Sequence, residues 1–279
     1  MRLPLFALLS LAFAGIGAAQ AQTLKADYDV SLAGLSLGTA DLSSTFEGPK
    51  YTMQLGVKLT GLAKMLTGGK GAGTASGAIA GAIPQPAAFA VTSRASGDQR
   101  TVRMGLTAGT VAAVEIVPPI DEKPDRVPVK EADKKSVVDP ISALLMPALA
   151  SGSLTDPANC NRIIPVFDGA ARFNVVLTYG ETKEIDKPGY KGPVLVCNAR
   201  YVAISGHRAL RPSTKFMEDN KDMSVWLMPL EGPRLLVPVK IAVRTMIGMS
   251  VVEATNLSLG GEGKVVPVSN RPVQAGAVR

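Results

Sequence analysis

From Leu24 to Leu32 apolar and polar positions alternate, with Tyr28, Val30 and Leu32 on one side and Asp27, Asp29 and Ser31 on the other. That period of two is the pattern of a half-buried strand. Gly34 turns the chain into Leu35 to Phe46, and Gly48-Pro49 turns it again into Tyr51 to Leu59. Phe89 to Ser93, Thr101 to Leu106 and Val111 to Val117 continue the pattern. Asp222 to Leu227, Leu235 to Val243 and Ile247 to Leu259 bring it to a close. Short strands punctuated by Gly and Pro predict a mainly β fold, an antiparallel meander curled into an open barrel or spiral-like sheet.

Four stretches break the period. Leu59, Leu62, Ala63 and Leu66 have helical spacing, which predicts a short helix before Gly68-Gly69. Gly68 to Ala82 is almost wholly small, with Gly69, Gly73, Gly77 and Gly81 at every fourth residue. That spacing matches small-residue packing between membrane helices, and equally suits a strand lying under a covering element. Pro118 to Lys135 holds four prolines among charges of both signs, so residues 118–137 are expected to form a long solvated loop. Asp139-Pro140 then offers an N-cap and a first helical position. The stripe Ile141, Leu144, Leu145, Ala148 and Leu149, stopped by Gly152, predicts a helix over Asp139 to Ala150 packed on one side of the sheet.

In the middle of the chain, Asp168-Gly169 separates two apolar runs and predicts a tight hairpin. Placing Phe167 opposite Ala170 puts Leu177 opposite Cys160. A turn centred on Lys187-Pro188-Gly189 puts Leu177 opposite Cys197 as well. Flat strands would leave the two cysteines about 9.5 Å apart. A Cys160–Cys197 disulfide therefore requires Asp156 to Asn159 to carry Cys160 off the ladder and over its neighbour.

Met1 to Ala21 reads as a cleaved secretory signal. Arg2 precedes a short apolar core from Leu5 to Ile16, and Ala19-Gln20-Ala21 fits the small-x-small cleavage rule. The core is too short to span a bilayer, and no later segment reaches the roughly 18 apolar residues a spanning helix needs. The expected product is a periplasmic protein with one domain over residues 22–259 and a disordered tail over 260–279. In an oxidising compartment two cysteines usually mean one disulfide. The chain is basic, with a formal net charge of +7. Dispersed Lys and Arg and few aromatics argue against nucleic acid and suit anionic envelope surfaces.

Chemistry finds little footing. The single histidine, His207, lies in a turn, Ser205-Gly206-His207-Arg208, and no Gly-x-Ser-x-Gly elbow occurs. Metal-ligand spacing is absent, the Gly-rich stretch lacks a phosphate-loop ending, and Asp168 reads as a turn residue. The expectation is a protein without catalytic residues, metal or cofactor.

Asp139-Pro140-Ile141-Ser142, Pro165 to Phe173 with its Phe-Asp-Gly-x-x-Arg run, Gly206-His207-Arg208 and Pro238 to Ile241 followed by Gly248 carry a resemblance. In these pieces the chain resembles the exported bacterial domain-of-unknown-function family numbered 3108, over roughly Ala26 to Leu259. The resemblance implies a periplasmic, mainly antiparallel β protein similar to the curled open sheets of envelope proteins, including lipoprotein carriers. It implies no reaction. The functional expectation is support of cell-envelope integrity through a concave apolar face that binds a lipid, a lipoprotein or an envelope partner. Phe173, Tyr201 and Trp226 are the candidate lining residues. The alternatives are an interaction module whose concavity is filled by its own Asp139 to Ala150 helix, and, further off, an envelope hydrolase.

Overall fold

The computed structural model describes residues 21–61, 69–95 and 97–260. The leader with Ala19, most of the helix expected before Gly68 and the tail after Gly260 lie outside the described residues. β1 (Gln22–Leu32), β2 (Leu35–Glu47), β3 (Lys50–Leu59), β4 (Lys70–Ile79), β5 (Pro84–Ala95), β6 (Asp98–Thr107) and β7 (Thr110–Val117) form the first half of the meander. After a long linker come β8 (Met146–Pro147), β9 (Arg162–Phe167), β10 (Arg172–Lys187) and β11 (Tyr190–Ser205). Helix α1 (Pro212–Asp219), β12 (Met223–Leu230), β13 (Leu235–Thr245) and β14 (Gly248–Gly260) complete it. The strands make one antiparallel sheet in the order β7-β6-β5-β4-β3-β2-β1-β14-β13-β12-β11-β10-β9, with β8 attached to β13. First and last strands pair in the middle, so the two halves run outward from them to the edges β7 and β9.

Those edges share no ladder; the linker sews them together. Val138 donates its N–H to the Pro165 carbonyl at 2.8 Å and accepts from Phe167 N–H at 2.9 Å, a parallel bridge onto β9. One residue earlier, Val137 N–H reaches the Gly109 carbonyl in the β6–β7 turn at 2.9 Å. The β9–β10 turn closes on the same neighbours: a Cβ on Gly169, where φ is +99°, would stand 2.5 Å from Val102 Cγ1.

A second junction lies along β13. Lys240 to Thr245 pair with β14, but Leu235 and Leu236 pair with Pro147 and Met146 of β8. The linker thus occupies an edge that β14 has left, and it feeds two apolar cores. Val137, Ile141 and Leu145 join Leu24, Leu42, Phe46, Met53, Phe89 and Leu235 in the larger core. Val138, Met146 and Cys160 join Ile164, Val166, Leu177, Leu195 and Leu227 in the smaller one.

The helix expected over Asp139 to Ala150 is not there. Asp139 caps as anticipated, its Oδ1 accepting from Ile141 N–H and Ser142 N–H at 2.9 Å each. The turn then stops after Ser142–Leu144, a 3-10 turn, and Leu145 is extended. Pro147 is the cause: it lacks the N–H that an α-helix would donate to Ala143 and disfavours helical backbone at Met146.

What holds this strap is a buried polar chain. Tyr51 Oη donates to Ser142 Oγ at 2.7 Å, and Ser142 Oγ donates to Asp139 Oδ2 at 2.5 Å. All three residues are buried. Burial pushes the Asp139 carboxyl above its ordinary value against the lowering effect of its hydrogen bonds. Beneath the strap lies β4, which settles its small-residue run as a strand under a covering element and not a membrane helix. A Cβ on Gly73 would come within 2.6 Å of Ile141 Cδ1, and one on Gly77 would meet Pro86 Cα at 2.7 Å.

The remaining expectations hold in part. Residues 118–137 are largely exposed, but the loop is pinned through Val127 N–H to the His207 carbonyl at 3.0 Å and Arg208 Nε to Asp125 at 2.9 Å. Cys160 and Cys197 form the disulfide, with 5.5 Å between Cα atoms, and the 3-10 turn Pro157–Cys160 does carry Cys160 off the ladder. The hairpin register is displaced by two. Phe167 pairs with Arg172, and Leu177 pairs with Arg162 and Ala199. Between β9 and β10 the reason is that Asp168 accepts from both Ala170 N–H and Ala171 N–H, which winds a four-residue turn where a two-residue one was expected. Between β10 and β11 the shift comes from the Lys187–Tyr190 closing pair and the bulge between Tyr179 and Glu181.

Three stability predictions follow from these contacts. Replacing both cysteines by alanine should lower the unfolding free energy in urea by about 4 kcal/mol, the chain-entropy value for a loop of this length. Because the folded chain holds the Asp139 proton to higher pH than the unfolded chain does, the group's contribution is full below the unfolded value and fades as pH rises through the folded one. Urea midpoints of the native chain measured against Asp139→Asn should therefore decline as pH is raised above about 4; a difference that grows with pH refutes the assignment. Gly77→Ala should cost more than Gly73→Ala, since backbone blocks the first outright, while the second meets the movable tip of Ile141 and the Ala90 carbonyl only at 3.2 Å.

Candidate functional site: an apolar cleft beside the strap

Alternate residues of β9 to β13 turn one face toward the strap, and the two surfaces do not fully meet. The floor is built by Ile164 and Val166 of β9, Phe173, Val175 and Leu177 of β10, Val225 of β12, and Ile241 and Val243 of β13. Pro140, Ala143, Leu144 and Met146 of the strap form the roof. Between them lies a half-open cleft of about 230 Å³. Ile164, Val166 and Leu177 are buried, whereas Phe173, Val175, Val225, Ile241 and Val243 remain half-buried. Among the described residues no charged side chain lines it, and Ser224 is its one hydroxyl. Apolar surface left in contact with water costs about 25 cal/mol per Å², so an apolar occupant is favoured here and a charged one is not. The volume lies just under the usual range for small-molecule sites, which suits a single chain or group.

The three candidate lining residues separate. Phe173 lines the cleft. Tyr201 sits at its edge, pairing with Val175 across the ladder, its ring 5.2 Å from that of Phe173. Burial raises its hydroxyl pKa, with the charges of Asp168 and Glu218 acting the same way. Trp226 lies outside the cleft. It follows Val225 along β12 and so takes the opposite face, where the ammonium groups of Lys183 and Lys240 each stand 5.0 Å from its ring. Glu253 accepts from Lys187 and Lys240 at 2.9 Å each. Burial alone would raise its carboxyl, but the two lysines outweigh that and hold it below its ordinary value.

The motif residues meet at a different corner. Asp168 holds the β9–β10 turn, and Gly206, with φ of +77°, lies against it; a Cβ there would stand 2.6 Å from Ala171 Cα. Arg172 donates to Asn174 Oδ1 at 2.7 Å. The side chain of Asp168 is thus engaged in shaping its turn, and that of Arg172 is engaged by its own strand. His207 is half-buried, and its Nδ1 has no hydrogen-bond partner among the described residues. A wider groove of about 700 Å³ between the β10–β11 tip and β12 mixes Tyr190, Leu230 and Leu257 with Lys191 and Glu231, and lacks the single chemistry of the cleft.

Sequence reasoning found Phe173 and missed the roof. The apolar stripe places Pro140, Ala143 and Leu144 in a packed helix; in the structure Leu144 packs against the larger core and lines the cleft as well. The usable signal was Pro147, which shortens that helix and frees its flank.

None of the curated proteins matches this chain. Among solved structures it is similar to a β-barrel-like protein of domain of unknown function DUF1849 from Brucella abortus. The identity is 12%, the coverage 86% of this chain and 98% of that one, and the TM-score 0.49. Residues 27–255, which include the strap, both turns and the whole cleft, match the family described as "Protein of unknown function (DUF3108)", and the chain belongs to that family.

Proposed function

We propose that this protein is a non-catalytic binding protein of the cell envelope, and that its cleft holds an acyl chain or similar apolar group of a lipid or lipoprotein. The observation that carries the reading is the row of half-buried Phe173, Val175, Val225, Ile241 and Val243 facing a roof of apolar side chains. Covering these side chains with an apolar group would remove their remaining surface from water, which favours such an occupant. The leader-like N-terminus and the disulfide support an exported, periplasmic setting.

A second reading has its own observation. Ile141 and Leu145 of the strap are buried in the main interior, so the larger concavity is filled by the chain itself. An interaction module that binds partners only through its surface would look the same there.

Native mass spectrometry of protein recovered from its own envelope separates the two: a retained acyl species favours the first, a clean apo mass the second. In solution, Ala143→Phe and Val175→Phe should each weaken binding of a fluorescent fatty acid at least tenfold while leaving the urea midpoint nearly unchanged. Unchanged binding in both variants would rule out the cleft as the site.

A further inference from the structure

Large apolar side chains stand exposed at one end of the sheet. Ile247 and Met246 in the β13–β14 turn are 74% and 60% accessible, and Leu35 at the start of β2 is 71% accessible. Two distant parts of the sequence bring them together. Ala33 N–H donates to the Met249 carbonyl at 2.8 Å, and a Cβ on Gly248 would stand 2.7 Å from that of Ala33. The β1–β2 and β13–β14 turns therefore share one apolar tip. Isolated exposed leucines need no explanation, but three long apolar side chains on adjoining turns do.

Behind the tip lies a row of cations. Lys58 of β3 pairs across the ladder with Lys70 of β4, and Lys70 pairs with Arg94 of β5. All three are exposed, and none makes an ion pair among the described residues; Arg94 donates only to Gln99 Oε1 at 3.2 Å. Like charges directly opposite one another destabilise a sheet, so the row has no structural reason of its own. Thr39 pairs with Lys58 and lies four residues along β2 from Leu35, which sets the cations roughly 13 Å behind the tip. Asp222, at the same end, is taken by Arg244 at 3.0 Å.

We propose that this end of the sheet docks on an anionic bilayer surface, with Leu35, Met246 and Ile247 entering the interface and Lys58, Lys70 and Arg94 meeting the headgroup phosphates. An interfacial apolar face sinks about 5–10 Å, which brings a cationic row at that setback close to the level of the headgroups. The docking does not depend on what the cleft holds. A protein partner for the tip would need carboxylates spaced to match the row; a bilayer supplies anions at any spacing.

The test is flotation of the protein, as recovered from the cells that make it, with vesicles of phosphatidylcholine alone or with added phosphatidylglycerol. Binding is expected with the anionic vesicles and should fall as salt is raised. The double variant Leu35→Ser with Ile247→Ser should bind at least tenfold more weakly. Lys58→Gln with Lys70→Gln should lose about fivefold per cation at low salt and converge on the native chain at high salt. Both pairs are exposed, so the Leu35→Ser with Ile247→Ser urea curve should coincide with the native one and the Lys58→Gln with Lys70→Gln midpoint should be no lower than native, which serves as the folding control. Equal binding to both vesicle types, no binding, or full retention by either variant overturns the proposal.

Discussion

The structure turns on a carboxylate taken out of water. Asp139 sits at 0% accessibility, and what makes that tolerable is the set of donors around it: two backbone N–H groups of its own turn and the Ser142 hydroxyl, itself fed by Tyr51. A buried polar group is costly only when it is unpaired. Here the pairing does something further. Tyr51 belongs to β3 and Asp139 to the linker, 88 residues on, so satisfying the carboxylate fixes the strap to the first half of the sheet. From that point Val137 and Val138 reach the β6–β7 turn and β9, and Met146-Pro147 reaches β13. The two edges of an open sheet, which share no ladder among the described residues, are bridged by a strand-poor segment that this hydrogen-bonded chain holds together with the Val137, Val138 and β8 contacts.

This closure divides the interior. On one side of the strap, Ile141 and Leu145 complete a filled core above the glycines of β4; on the other, Pro140, Ala143 and Leu144 roof a cleft that is not filled. Filled hollow and open hollow are therefore neighbours separated by one 3-10 turn. Within that turn Ile141 packs into the larger core, Ala143 faces the smaller core and the cleft, and Leu144 touches both the larger core and the cleft.

Much of this was legible in the residues. The alternation in Leu24 to Leu32, the Gly and Pro turns and the spacing of the strands carry the meander, because a half-buried strand must alternate whatever its partner is. Capping by Asp139 was readable too, since Asp before Pro favours that geometry wherever it occurs. What failed were features decided by competition. Pro147 overrode an apolar stripe of helical period, and a second hydrogen bond to Asp168 lengthened a turn that Asp-Gly alone would have kept short. Helix α1 went unnoticed because Pro212 marks its start without an apolar stripe to follow. The pairing of β13 with both β14 and β8 could not be read at all, because a strand that changes neighbour halfway keeps the same period throughout.

The cleft owes its shape to two fixed points at opposite ends of the same segment. The carboxylate chain holds Asp139, and the disulfide holds Cys160 against β11; the roof residues lie between them. Just beyond that span Arg162 donates to the carbonyls of Asn159 and Pro147 at 2.8 Å each, and within it Asn159 accepts from Leu149 N–H at 2.8 Å, so the intervening loop is also tied back on itself. A roof anchored this way cannot collapse onto the floor without breaking buried hydrogen bonds, and that is why half-buried apolar side chains stay unpaired below it. An occupant meets a surface already in place and bears little of the cost of ordering it. The same polar and covalent anchors that close the sheet thereby keep one of its hollows open.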